Sequence, residues 1–500
     1  MGPADTQTDE SSNESGGVRG FFEFDRYGTD LGTEVTAGVT TFLTMSYIVF
    51  LNPAILGPAI TVPGMSDGAV RSMLAVVTIL SAVVATTVMA LYANRPFGQA
   101  PGLGLNAFFA FTVVLGLGVA WQTALAAVVV EGVVFVLLTA VGARKFIIEA
   151  FPEPVKFSVG AGIGAFLALI GLEEMGIVVN DDTTLVTLGN VASDPIAIVS
   201  IVGLFLTLAL YARGIRGSIV IGILGTTVLG SLVTMAGLVS TGTVAPSFVV
   251  PLRLGLDPLV VSGGFDWAAL QSQLFGAQYD ISPLAGAFVT GLSGVEPFSF
   301  ALIVFTFFFV DFFDTAGTLT GVGQAAGFLD EDGDLPEIEK PLMADAVGTT
   351  VGGMLGTSTV TTFIESATGV EEGGRTGMTA LVVALLFLVS LAFVPLATAI
   401  PLYASHIALV VIAVVMLGNI AAVDWDDITH AVPAGLTILV MPFTFNIGYG
   451  IAAGIVSYPL VKVAVGEWED VRPTQVALAL AFVVYFVVAT GGVLDAAVGS

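Results

Sequence analysis

From about Thr36 to the carboxyl end the chain is a succession of apolar runs, separated by short polar or Gly/Pro-containing breaks. A helix needs about 20 mostly apolar residues to cross the hydrocarbon core of a bilayer. The runs at 36–53, 70–92, 104–120, 123–142, 157–176, 195–211, 216–239, 297–319, 341–356, 361–374, 377–395, 406–422, 428–443 and 446–464 predict fourteen spans. Those at 104–120, 341–356 and 361–374 are short or rich in Gly and Thr for a clean crossing. A further stretch at 474–492 reads either as a fifteenth span or as a helix along the bundle. The expected class is an all-α polytopic membrane protein. Residues 1–20 form an acidic disordered tail and 21–240 a first set of seven spans. An outer connection, 241–295, leads to a second set at 296–464, and 465–500 is a C-terminal apolar segment.

Two patterns give this list a topology. With the amino terminus inside, twelve of the fourteen Lys and Arg residues fall on inner segments, and only Arg71 and Arg253 fall outside. That is the bias of a multi-pass chain whose amino terminus is cytoplasmic. Seven spans separate equivalent points, so the second half runs opposite to the first. The segments beginning at Asp194 (DPIAIVSIVGLFLTLALYARGIRGSIVIGILG) and Asp427 (DITHAVPAGLTILVMPFTFNIGYGIAAGIVS) match in kind. Each is an Asp-led apolar helix, a break and a Gly-rich helix, which is the signature of an inverted repeat.

Composition narrows the function. Of 500 residues 55% are hydrophobic and 11% charged, with a mean hydropathy of +0.96, whereas a soluble domain carries about 25% charged residues. Forty acids against fourteen bases leave a net charge of −26, which argues against nucleic acid as a partner because phosphate binding needs basic patches. There is no cysteine and there are two histidines, His406 and His430, so thiolate and His-rich metal sites are excluded. Both histidines stand at helix starts and read as structural. The string FDWAALQSQLF (Phe265–Phe275) suits a short helix on the membrane surface. The string LDEDGDLPEIEK (Leu329–Lys340) lacks the spacing of a calcium loop and reads as a solvated acidic turn.

Carboxyl groups inside spans are costly and mark functional sites by default. Asp311 and Asp314 stand three apart in FSFALIVFTFFFVDFFDTAGTLTG, so they project from nearly the same face of one helix. Two carboxylates this close in low dielectric do not ionise together easily, which suits a proton carrier or a ligand's hydrogen-bond partner. The bland reading is that they cap a helix break before Thr315, Gly317 and Thr318. Glu365 follows an extended, Thr-rich segment in GTSTVTTFIESATGVEEGGRTG, and Asn106 follows Pro101, Gly102 and Gly104 in FGQAPGLGLNAFFAFTVV. Two interrupted segments at corresponding places of the halves point to a midplane binding site, where half-helix N-termini present positive dipole ends. Asp314, Glu365, Asn106 and free backbone amides, with Phe108, Phe109 and Phe363 nearby, suit a flat heterocycle bearing several N–H donors and ring acceptors. A sugar would ask for more Trp and amides, and an anion for Arg. Glu131, in mid-span, is open between a structural hydrogen bond and a coupling role; Glu173 and Glu174 read as interfacial.

Four strings, FFEFDRYGTDLGTEVTAGVTTFLTMSYIVFLNP, GLGLNAFFAFTVV, DFFDTAGTLTGVGQAAGFLDEDG and ADAVGTTVGGMLGTSTVTTFIESATGVEEGGRTGMTA, closely resemble the adenine–guanine–hypoxanthine permeases. These form the AzgA-like branch of the xanthine/uracil permease, or nucleobase–cation symporter-2, family. The resemblance runs from about Phe21 to Lys462. It implies a seven-plus-seven inverted repeat with a core domain (spans 1–4 and 8–11) and a gate domain (spans 5–7 and 12–14), and proton-coupled purine uptake by elevator-like movement. It implies further that substrate lies between the broken spans 3 and 10, at Asn106, Asp314 and Glu365, with Asp311 assigned to cation coupling. The positions of Gly104, Thr362 and Phe363 add them to the substrate set, and that of Glu131 adds it to the coupling set. No cofactor is implied beyond the coupling ion, and a homodimer in the cell membrane is compatible with the fold. The acid excess resembles that of proteins from salt-loving cells and leaves Na⁺ open beside H⁺. A uracil/xanthine or anion carrier of the same fold, a channel, and an intramembrane aspartyl protease are the competing readings. The last needs its aspartates on two helices, whereas Asp311 and Asp314 share one.

Overall fold

The computed structural model describes residues 17–142, 151–240, 243–245, 249–256, 259–265, 279–293, 295–330 and 335–490. Most of the tail, the segment predicted as a surface helix beyond Phe265, and the tip of the acidic loop lie outside them. Among the described residues ten helices are long and apolar enough to cross a membrane. They supply span 1 (Leu31–Leu56), span 2 (Asp67–Ala93), span 4 (Trp121–Ala140), span 5 (Glu153–Glu174), span 6 (Pro195–Ala212), span 7 (Ser218–Met235), span 8 (Ser299–Gln324), span 11 (Gly377–Ala397), span 12 (Leu402–Ala422) and span 14 (Ile447–Val465). The four others are span 3 (Leu103–Gly116), span 9 (Glu339–Leu355), span 10 (a strand, Val360–Thr362, then a helix, Ser366–Glu371) and span 13 (Ile428–Thr444).

Polar residues start these helices by satisfying orphan N–H groups, which hydrocarbon cannot do. Asp194 Oδ1 accepts from the Ile196 N–H at 2.9 Å, and Asp427 Oδ1 from the Thr429 N–H at 2.7 Å. The two Asp-led segments are therefore capped alike and occupy matching places in the two halves. The Thr429 side chain and N–H also hold the Asp427 carboxyl below the usual carboxylate range.

The spans sort into two bodies. Spans 1–4 pack with spans 8–11: span 9 lies between spans 2 and 4, and span 11 against spans 1 and 2. Spans 5–7 pack with spans 12–14, with span 5 wedged between spans 12 and 13. Small residues permit the close approaches. A Cβ on Gly38 of span 1 would stand 2.6 Å from Val382 Cβ of span 11. The two bodies are the expected core and gate, each drawing on both halves of the repeat.

Several expectations change in detail. The helix of span 8 runs unbroken over Pro297–Ala326, so Asp311 and Asp314 cap no break. The molecule is not purely helical. Antiparallel hairpins pair Val178–Asp181 with Leu185–Leu188 and Val249–Leu256 with Leu259–Phe265, where β-branched residues in polar connections favour extended chain. The apolar segment after span 14 is a helix, Pro473–Thr490, packed on span 14. The tail ends in a short helix, Val18–Phe21, starting inside the residues expected to be disordered. The acidic loop is pinned where it is described: Leu335 and Ile338 are buried, and Arg95 Nη2 donates to the Pro336 carbonyl at 3.1 Å. Leu335 and Ile338 anchor the described end of the loop, while Glu337 and Glu339 stay exposed.

Candidate functional site

The site begins with two strands. Thr357–Thr362 is a run of Thr, Ser and Val, side chains that favour extended backbone, and Pro101 prevents the chain before span 3 from entering a helix early. Gln99–Pro101 pairs antiparallel with Val360–Thr362, placing Gln99 opposite Thr362 and Ala100 opposite Thr361. The Phe363 N–H donates to the Gly98 carbonyl and the Gly102 N–H to the Thr359 carbonyl, both at 3.0 Å, which extends the ladder at each end. The two interrupted spans thus meet through their broken segments, and backbone groups that a membrane helix would satisfy internally satisfy one another. A Cβ on Gly102 would lie 2.5 Å from the Thr361 methyl, so only glycine fits this crossing.

Beside the crossed strands lies a cavity of about 320 Å³ between the two bodies. Asp314, Glu365, Thr362, Phe363 and Gly104 line it from the first body, and Tyr211, Ile219 and Met416 from the second. Five of the six residues assigned to substrate from sequence are therefore brought together. Asn106 is not: fully buried, it receives the Ser358 hydroxyl on Oδ1, and its Nδ2 points to the Pro101 carbonyl at 3.5 Å. It ties the start of the span 3 helix to the span 10 strand. Phe108 and Phe109 are likewise turned away, packing on Phe307 of span 8 at 4.8 and 6.4 Å between ring centroids.

The paired aspartates part company. Asp314 faces the cavity, whereas Asp311 is fully buried outside its lining, with Oδ2 accepting from the Thr349 hydroxyl at 3.3 Å. Residues three apart on a helix are offset by about 60°, enough here to face different surroundings. Glu131, also fully buried, lies against Asp311 and outside the cavity lining. His406 is buried with Nδ1 on the Leu402 carbonyl at 2.8 Å.

Sequence reasoning missed Tyr47, which lines the cavity and donates its phenolic O–H to Glu365 Oε1 at 2.5 Å across 318 positions of sequence. Thr361 went unnoticed as well: it also lines the cavity and bonds Thr315 at 2.6 Å, tying the strand to span 8. Asp345 and Gln99 were missed too. Asp345 offered a signal, a lone acid in the Gly/Thr-rich span 9, whereas Tyr47 stood in an ordinary apolar run.

A cavity between two bodies, each made from both halves of an inverted repeat, and walled on one side by broken spans, defines a secondary transporter. The chain belongs to the xanthine/uracil-type permease family, or nucleobase–cation symporter-2, whose model matches residues 32–453. It is 43% identical over 474 residues to a putative permease of Methanocaldococcus jannaschii, covering 95% of this chain and 99% of that one. It is 38% identical to the adenine permease AdeQ of Escherichia coli (95% and 97% covered) and 37% identical to the guanine/hypoxanthine permease PbuO of Bacillus subtilis (91% and 96%). Among solved structures, the transmembrane domain of the cyanobacterial bicarbonate transporter BicA shares the fold at TM-score 0.51 and 16% identity, covering 85% of this chain and 97% of that one. The protein is thus a multi-pass membrane transporter of a nucleobase permease family and not an enzyme, which disposes of the aspartyl-protease reading.

Proposed function

We propose that this transporter imports purine nucleobases (adenine, guanine or hypoxanthine) by symport with a proton, through elevator-type movement of the first body against the second. The observation that carries the reading is that Asp314 and Glu365 face one cavity at the crossed strands. Glu365, with Asp314 assisting, accepts purine N–H groups, and Phe363 offers its face to the flat ring. Backbone N–H groups at the start of the span 3 helix, near Gly104, and the Thr362 hydroxyl face the ring acceptors. Asp311 and Glu131, set back from the cavity, take up the coupling ion, and Asn106 acts by holding the strand. The named activities of the adenine and guanine/hypoxanthine relatives support the same substrate class.

The Lys and Arg bias supports a cytoplasmic amino terminus in the cell membrane. In that orientation span 6 ends, span 7 begins and span 12 ends on the cytoplasmic side, and the presence of Tyr211, Gly217 and Asn419 in the cavity lining supports a cavity open to that side. An anion carrier is the second reading, favoured by the bicarbonate transporter's fold. The cavity lining speaks against it, because it holds two carboxylates and neither Lys nor Arg.

Uptake of labelled hypoxanthine, guanine, adenine and uracil into vesicles containing the full chain tests the proposal, with a proton gradient, a sodium gradient or neither. Purines are expected to accumulate and uracil to compete poorly, with accumulation following the proton gradient. Normal transport by Glu365→Gln and Asp311→Asn would overturn the site assignment. Accumulation indifferent to both gradients would overturn symport.

A further inference from the structure

Deeper in the first body, outside the cavity lining, three carboxyl groups from three spans converge: Glu131 of span 4, Asp311 of span 8 and Asp345 of span 9. All three are fully buried, and each acts directly on at least one other. No Lys, Arg or His side chain pairs with them among the described residues. The other titratable groups facing them are Asp314 and, beyond it, Glu365. The hydrogen-bond inventory is one-sided. Thr349 donates to Asp311 Oδ2, while Gln99 Nε2 and the Thr362 hydroxyl donate to Asp345 Oδ1 at 3.1 and 3.3 Å. That leaves both oxygens of Glu131, Asp311 Oδ1, Asp345 Oδ2 and Gln99 Oε1 buried with no donor. Apart from the Thr315 hydroxyl, which faces Asp345 as well as Thr361, no neighbouring group among the described residues supplies what these acceptors lack, and each proton bound by a carboxylate creates one O–H donor. A buried all-carboxyl cluster with no counter-cation is stable only when protons or cations occupy it. Among the described residues no set of three His, Asp or Glu side chains is arranged to ligate a metal ion, which favours the proton.

We propose that Glu131, Asp311 and Asp345 form a single proton-binding site, and that Asp345 reports its occupancy to the substrate cavity through Thr362. This rests on the proton-symport reading. Thr362 is the shared element: it lines the cavity, donates to Asp345 Oδ1 and accepts from Gln99 across the strand ladder at 3.1 Å. When Asp345 is ionised, it holds the Thr362 hydroxyl proton. When Asp345 binds a proton, its own O–H donates to Thr362 Oγ1, and the Thr362 hydroxyl proton turns toward the cavity as a donor for a purine ring nitrogen. Proton and purine then favour each other's binding, as symport requires, although they occupy separate sites.

The test compares proton-driven accumulation with purine counterflow, which needs no proton gradient, in vesicles containing the full chain. An inward gradient of one pH unit drives about tenfold accumulation per coupled proton. Glu131→Gln and Asp345→Asn, which fix a neutral side chain, are expected to retain counterflow and to lose that accumulation. Tenfold accumulation by both variants would overturn the site. A wild-type protein that counterflows purine but ignores the proton gradient, or follows sodium alone, would instead overturn the parent reading and the site with it. Should either variant fail in vesicles, calorimetry on the detergent-purified protein in buffers of different ionisation enthalpy counts the protons taken up on purine binding. About one is expected for wild type and fewer for each variant; equal uptake by all three would reject the proposal.

Discussion

The phenol of Tyr47, in the first span, donates its O–H to Glu365 Oε1 at 2.5 Å, so one oxygen of the carboxylate proposed to bind purine is already held by the protein. Its ring lies 6.5 Å from that of Phe363, between centroids, on the wall of the same cavity. Glu365 thus offers its second oxygen in a fixed orientation, and the orientation depends on one hydroxyl. Hydrogen bonds to charged groups contribute about 1.5–3 kcal/mol. Tyr47→Phe keeps the ring and removes the donor, so purine KM is expected to rise about tenfold or more with little change in protein abundance. Uptake kinetics with matched expression measure this, and an unchanged KM would show that Glu365 needs no such support.

Gly104 sits where the first body meets the second. A Cβ there would lie 2.7 Å from Ile163 Cγ2 of span 5, a contact that moving bodies must slide past. Overpacking of this kind costs about 1–3 kcal/mol. Gly104→Ala is expected to slow transport while leaving the protein folded, and Ile163→Ala in the same chain to restore part of the rate. Absence of rescue in the double variant would mean that the glycine serves the substrate directly and not the interface.

Much of this arrangement is legible in the sequence because a bilayer makes its rules strict. Fourteen spans, their inversion and the two interruptions follow from apolar length, the Lys/Arg bias and the Pro/Gly/Thr breaks. Asp314 and Glu365 declare themselves as acids where acids are costly. What escapes is contact between distant segments. Nothing in TFLTMSYIVF marks Tyr47 as the partner of Glu365, and Asn106 has the chemistry of a ligand group while its amide is engaged by Ser358 and faces Pro101. Asp311 and Asp314 share a helix face to a first approximation. The packing of span 8 on span 4 and of span 10 on span 8 sends them to different surroundings.

Glu34 illustrates a carboxylate with a structural task. Fully buried near the start of span 1, it accepts N–H groups from Arg375 at 2.9 Å, Thr376 at 3.3 Å and Thr379 at 3.1 Å, and the Thr379 hydroxyl at 2.6 Å. It therefore caps the helix of span 11 from another span. Leaving a buried donor unsatisfied costs about 1–3 kcal/mol, and Glu34→Ala strands several. The variant is expected to melt well below wild type in detergent, and Glu34→Gln to fall between them, because its carbonyl oxygen still accepts. Thermal unfolding followed by fluorescence orders the three, and a melting temperature for Glu34→Ala equal to that of wild type would contradict this role.

The chain contains no cysteine, so one introduced thiol is the only one present and can report on the cavity without background. Thr318 lines the cavity one helical turn beyond Asp314, close enough for bound substrate to cover it. In a cysteine variant at Thr318, a membrane-impermeant thiol reagent is expected to label inside-out vesicles and to spare right-side-out ones, because the proposed orientation opens the cavity to the cytoplasm. Saturating hypoxanthine should protect the thiol. Adding Glu365→Gln should abolish protection and leave labelling intact, which separates loss of binding from loss of access. Labelling from the outer face alone would reverse the proposed orientation. Protection that persists in the Glu365→Gln background would place the purine elsewhere in the cavity.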